Sequence, residues 1–159
     1  MNKNNLIKKR SGSALMWMLI AFTVLIILSS SAIFIVQQDI LETRKQEERL
    51  KTYYIALSGI DLTHAALMNP DDTPMKIENM ITKLKSNGNT PITESIIVES
   101  EGVVRGTANV SVKRVTKDDK DWVQITSIGK LAGKDTSVST VMRINESNTN
   151  QIVREKFGD

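Results

Sequence analysis

Ala14 to Val36 is an apolar run without one charged residue. As a helix rising about 1.5 Å per residue, it is long enough to cross a bilayer core of about 30 Å. Ahead of it lie Lys3, Lys8, Lys9 and Arg10, with no acidic residue among them, and the leader closes on Ser11-Gly12-Ser13. Behind it the chain turns polar from Gln37 to Arg49 but stays rich in helix formers, with neither Pro nor Gly. These three pieces admit one arrangement: a basic leader and a membrane-length helix that runs directly into a soluble helix. Basic residues mark the cytoplasmic side of a span. The expected topology is therefore a single pass through the cytoplasmic membrane with the N-terminus in the cytoplasm. Trp17 falls where a ring at the inner lipid interface would sit. Ser29, Ser30 and Ser31 bring hydroxyls into the run. They either bend the helix by bonding back to carbonyls one turn earlier, or are simply tolerated. A secretory signal would have a shorter apolar part ending at a small-residue site. Here the small residues Ser29–Ala32 lie well inside the run.

Of 159 residues, roughly 90 remain beyond the helix. That is enough for a small sheet but marginal for an independent core, so the sheet needs the helix packed on it. The net charge of +3 is modest and much of it precedes the span, so the basic balance reads as a topology signal. No basic face or stripe marks a nucleic-acid site, and none is expected. The chain has no cysteine, which removes disulfides, thiol nucleophiles and thiolate metal sites.

Along the second part of the helix, Glu47 and Lys51 are spaced to pair. Leu50, Tyr53, Tyr54, Leu57, Ile60, His64, Leu67 and Met68 recur every three or four residues, which predicts one face packed on the sheet. Gly59 weakens that helix or lets a strand approach closely. Asn69-Pro70-Asp71-Asp72 ends it. A second helix is expected over Met75–Ser86, stopped by Asn87-Gly88-Asn89. The remainder reads as strands. Ile92 to Glu99 alternates, followed by a turn at Glu101-Gly102. Val104, Gly106, Ala108, Val110 and Val112 share a face of the next strand. A charged turn follows at Lys117–Asp121. Val123 and Ile125 carry the pattern on, while Trp122 and Ile128 fall on the other face, so that strand is buried on both sides or carries a bulge. A turn at Ala132–Asp135 leads to Val138, Thr140, Met142 and Ile144. Short turns between consecutive strands predict an antiparallel meander. The tail from Asn145 is polar and expected to be loosely ordered. The fold class expected is α+β. Its layout is a leader over 1–12, an apolar helix over 13–36, an amphipathic continuation over 37–69, a sheet domain with a short helix over 70–146, and a polar tail over 147–159.

Lys9-Arg10-Ser11-Gly12, a small residue, and an apolar helix running into a soluble spine and an antiparallel sheet resemble a type IV prepilin or pseudopilin. The resemblance implies that a prepilin peptidase cuts between Gly12 and Ser13 and that Ser13, the new terminus, is methylated. It implies that an assembly platform and other pilin or pseudopilin subunits are the partners. The apolar half-helix would then join the core of an extracellular pilus or of a type II secretion-like pseudopilus. Two positions depart from the family pattern: Ser13 where most members have Phe, and Trp17 where most have Glu at the fifth mature position. In the family that Glu pairs with the terminus of a neighbouring subunit. Minor pilins and pseudopilins of the K and X types typically lack it and occupy the tip or the priming complex. The resemblance therefore implies a minor, tip or initiating structural subunit, with no enzymatic role and no cofactor or metal. The rival reading is an uncleaved signal-anchored envelope binding or sensor module, which has no need of Gly12.

Other chemistry is set aside on the residues. His64 is the only histidine and lies in the apolar stripe, with Asp61 one turn away and close enough to pair. Asp118, Asp119 and Asp121 alternate with Lys117 and Lys120 as a solvated turn would and lack calcium-loop spacing. No phosphate loop or nucleophile elbow is present. Tyr53 and Tyr54 are adjacent, so one faces the sheet and the other is left for a partner or for water.

Overall fold

The computed structural model describes residues 4–71 and 74–155, with side chains from Ser13 onward. Lys3, Asp72 and residues 156–159 lie outside the described residues. So do the side chains of Lys8, Lys9 and Arg10, and with them the charge of the expected leader. Helix α1 spans Asn4–Leu67 and α2 spans Ile77–Ser86. Five strands follow: β1 Ile92–Ser100, β2 Val103–Lys117, β3 Lys120–Leu131, β4 Ser137–Asn145 and β5 Ile152–Arg154. They form one antiparallel sheet in the order β1-β2-β3-β4-β5, so the fold is α+β with a meander sheet. The chain divides into two compact units, Met1–Lys45 and Gln46–Asp159.

In the second unit, the sheet has one apolar and one polar face. Val110 and Val112 of β2, Val123 and Ile125 of β3, and Met142 and Ile144 of β4 alternate onto the inner face. Ile60 and Leu67 of α1 close over them together with Ile77, Met80 and Leu84 of α2. The opposite face carries Thr93, Ser95, Asn109, Ser111, Gln124, Thr126 and Ser139, which suits a face turned to water. The β2–β3 connection is a two-residue turn with both Asp118 and Asp119 at positive φ (54° and 55°). Paired positive-φ residues match the twist of the strands on either side, and Asp tolerates that conformation.

The buried side of α1 differs from the expected one. Thr52, Ile55, Ala56, Gly59, Ile60, Thr63 and Leu67 face the sheet. Of the expected stripe only Ile60 and Leu67 are buried. Tyr53, Leu57, His64 and Met68 are half-buried, and Leu50 and Tyr54 remain 47 % and 56 % exposed. Closeness of approach is the cause. A Cβ on Gly59 would lie 2.6 Å from Ser127 Oγ and 2.7 Å from Ala108 Cβ. Glycine at 59 thus permits the near approach of a strand, as one of its two readings anticipated. At the points of closest approach, Thr52, Ala56 and Gly59, no room is left for a large side chain, and Ile55, Ile60 and Leu67 pack to either side of them. Tyr53 and Tyr54 meet each other instead, with ring centroids 5.8 Å apart.

Strand β3 holds an unbroken register with both neighbours, so it carries no bulge. The irregularity lies between Val98 and Glu99 on β1. Trp122 is buried on the polar face, where its Nε1 donates to the Lys117 carbonyl at 3.2 Å, while Ile128 is 45 % exposed. The tail is also more ordered than expected. Ile152–Arg154 adds a fifth strand to β4, and Arg154 donates to Asp61 at 2.9 Å.

Ser127 is fully buried beneath Gly59, and its hydroxyl has no hydrogen-bond partner among the described residues. An unpartnered buried hydroxyl costs about 1–3 kcal/mol. Ser127→Ala removes it with little change in shape, so a rise in thermal midpoint is expected. A fall in a calorimetric scan would mean the hydroxyl finds a partner in solution.

Candidate functional site

The residues singled out for function, Gly12, Ser13 and Trp17, lie in the first unit. Helix α1 begins at Asn4, so the expected Gly12–Ser13 junction falls within helical backbone. Ser13 is exposed, and Trp17 follows one turn later on the same side, 71 % exposed. Every large apolar residue among Leu15–Leu28 and Ile33–Val36 is exposed, over a range of 44 % to 76 %. The segment has a mean hydropathy of 2.7 over its most apolar window, none of which is buried in the chain. This helix is long and apolar enough to cross a membrane.

The hydroxyls of Ala14–Val36 are satisfied internally, as a low-dielectric setting requires. Ser29, Ser30 and Ser31 donate to the carbonyls of Leu25, Ile26 and Ile27, each at 2.9 Å, and Thr23 donates to Ile20 at 2.8 Å. The helix continues through the three serines without a break in assignment. Every described hydroxyl of the span is thus returned to its own backbone, and the surface it presents is hydrocarbon. An exposed apolar surface of this extent marks a contact with lipid or with other protein.

Beyond the span, the Lys51–Glu47 pair expected from the spacing is present at 2.7 Å, and Lys134 reaches Glu48 at 2.7 Å from the β3–β4 turn. Sequence reasoning missed a second charged group. Arg114 of β2 donates to Asp121 across the hairpin and to Glu146 beyond β4, and Lys85 of α2 stands 3.6 Å from Glu146. The bond to Glu146 raises the Arg114 guanidinium above its ordinary range, against the opposing effect of desolvation. The available signal was the hairpin itself, because the register around Asp118-Asp119 sets Arg114 and Asp121 diagonally on one face. This group joins strands, turn and helix, and serves to hold them together.

His64 is half-buried and its Nε2 has no partner among the described residues. Asp61, expected within reach of it, pairs with Arg154 instead. Among the described residues no three metal-ligating side chains converge. A scan against family models, a search of curated proteins and a search of solved structures each found no match.

Proposed function

We propose that this chain is a minor pilin-like structural subunit of a type IV pilus or a type II secretion-like pseudopilus, placed at the tip or in the initiating complex. The reading rests above all on one observation. The uncovered apolar half of α1 follows directly on a basic leader that ends in Gly12. In this reading the basic leader stays in the cytoplasm and the sheet domain lies outside. Prepilin peptidase cuts after Gly12, and Ser13 becomes the methylated terminus. The apolar half then leaves lipid for a bundle of like helices with other pilin or pseudopilin subunits, drawn in by the assembly platform. Burial of apolar area, at about 25 cal/mol per Å², replaces the lipid contacts it gives up.

Trp17 supports the proposed position at the start of the filament. A carboxylate there would cost about 2.5–3.5 kcal/mol in a bilayer unless a neighbour's terminus paired it. A first subunit has no predecessor to pair with, and an indole at this position avoids the cost. The test is intact mass and N-terminal sequencing of the protein purified from its own membranes. A terminus at Ser13 carrying one extra methyl group is expected. A terminus at Met1 would overturn the reading in favour of an uncleaved, signal-anchored binding or sensor module.

A further inference from the structure

β1 is a bare edge of the sheet. Among the described residues its outer side is unpaired along Ile92–Ser100, whereas the opposite margin carries β5. Natural edges are blunted by Lys, by Pro, by shortness or by a covering element. β1 is nine residues long and contains neither Lys nor Pro; its charges are Glu94 and Glu99, and the one bulge in its pairing is at Arg105 of β2, near the hairpin. Its inward residues are also incompletely covered. Ile92 and Ile96 are half-buried, while their register partners Val112 and Ala108 are 3 % and 0 % exposed. All four lie on the same sheet face, so the missing cover belongs on the outer side of β1. A hollow of about 510 Å³ between α1 and β1 lies there, and through Ser58 and Val98 it adjoins a second of about 560 Å³ that runs under α1 across the hairpin end of β2 to Leu131 and Ala132. Tyr54, Ser58 and Leu62, four apart on α1, line the helix side, and Ile97 lines the strand side.

We infer that this edge receives an extended strand from a neighbouring protein subunit, with apolar residues at alternate positions and Lys or Arg between them. Such a strand pairs with the outward N–H and C=O groups of β1. Its inward side chains, two residues apart, fall beside Val98 and against Tyr54 and Leu62. A helix has no backbone groups free to do this. Charge selects the sequence of the strand. Glu99 of β1 lies on the face where the Lys or Arg of the strand fall, and Glu94, level with Val110, lies on the face of Ile92 and Ile96; with Glu101 of the turn they are exposed, and none forms an ion pair among the described residues. The cations lining the hollows, Lys51 and Arg105, stand at the hairpin end, and Lys51 is held by Glu47. Pairing two copies through β1 would bring carboxylates against carboxylates, which is unfavourable across strands. The edge therefore suits a basic strand better than a second copy of itself.

This inference rests on reading the chain as one subunit among others, but its test does not depend on leader processing. The full chain in lipid nanodiscs is mixed with the peptide Lys-Val-Thr-Val-Lys-Val-Thr, blocked at both ends, or with its counterpart bearing Glu in place of Lys. Amide exchange is followed by mass spectrometry. The basic peptide is expected to slow exchange across Ile92–Ser100 by about tenfold or more at saturation. The acidic peptide should leave it unchanged. A Glu94→Lys/Glu99→Lys variant with unaltered thermal midpoint should lose the effect. Four outcomes would each overturn the proposal: no protection by the basic peptide, equal protection by both peptides, protection centred on α1, or dimerisation through β1 without peptide.

Discussion

Gly12→Val is expected to abolish the mature form of this protein. Cells carrying the variant should hold only the full-length chain, by immunoblot and intact mass, and should fail to place it in filaments. The expectation follows from the chemistry of a cut after glycine. A peptidase that receives a residue without a Cβ can bring its catalytic groups against the backbone, and a branched side chain blocks that approach. The variant carries its own folding control. Position 12 lies in α1, where glycine disfavours the helix by about 1 kcal/mol relative to alanine and valine does so by less. Loss of processing therefore cannot be attributed to a weakened helix. The span and the second unit are left as they are, so membrane insertion should be unchanged. An uncleaved anchor would be indifferent to the change. Normal processing and assembly of Gly12→Val would remove the basis for the pilin-like reading.

The parts of the fold written in period and punctuation were legible before the structure. The alternation from Gly106 to Val112, the turns at Glu101-Gly102 and Asp118-Asp119, and the stop after Ser86 are local signals that packing did not override, whereas the bulge at Arg105 turned Val104 to the other face. The side of α1 that packs on the sheet was not legible, for a physical reason. Hydrophobic periodicity weights large residues, and it led to Leu50, Tyr53, Tyr54 and Leu57. The sheet instead selected the side that let it come closest, at Thr52, Ala56 and Gly59. Size, more than hydrophobicity, decided the contact. β5 was missed because Ile152-Val153 is a two-residue apolar signal in a polar tail. It is held by partners distant in the chain, Met142 to Ile144 by pairing and Asp61 through Arg154. In the candidate site the apolar span was legible from composition alone. The proposed processing at Gly12 and Ser13 would depend on an enzyme outside the chain, so neither sequence periodicity nor the fold of the chain can report it.

The close approach that misled the periodicity also predicts a damaging single methyl group in the second unit, at the contact of α1 with the sheet. Gly129 of β3 lies directly under the α1 backbone. A Cβ there would be 2.4 Å from the Thr52 carbonyl oxygen and 2.6 Å from the Ala56 nitrogen. Both are backbone atoms within a helix, so neither can rotate away as a side-chain tip does. Bringing the first contact from 2.4 Å out to 3.0 Å, below which Cβ contacts are essentially never found, requires a retreat of 0.6 Å. A gap of about 0.5–1 Å forfeits a quarter to a half of the dispersion well of each contact along the line. Ile55, Ala56 and Ile60 all lie on that line. Gly129→Ala is therefore expected to cost about 3 kcal/mol, the upper end of the usual range for overpacking. For a domain near one hundred residues this lowers the thermal midpoint by roughly 10–15 °C. Gly88→Ala supplies the comparison. Gly88 has φ of +60° and nothing within 4 Å of an added Cβ, so that change carries only the left-handed backbone cost of about 1–2 kcal/mol. Circular dichroism melts of the two variants in the same detergent separate the effects. If Gly129→Ala melts at or above Gly88→Ala, the helix does not rest on the glycine of β3, and the small-residue contact line is not what joins α1 to the sheet.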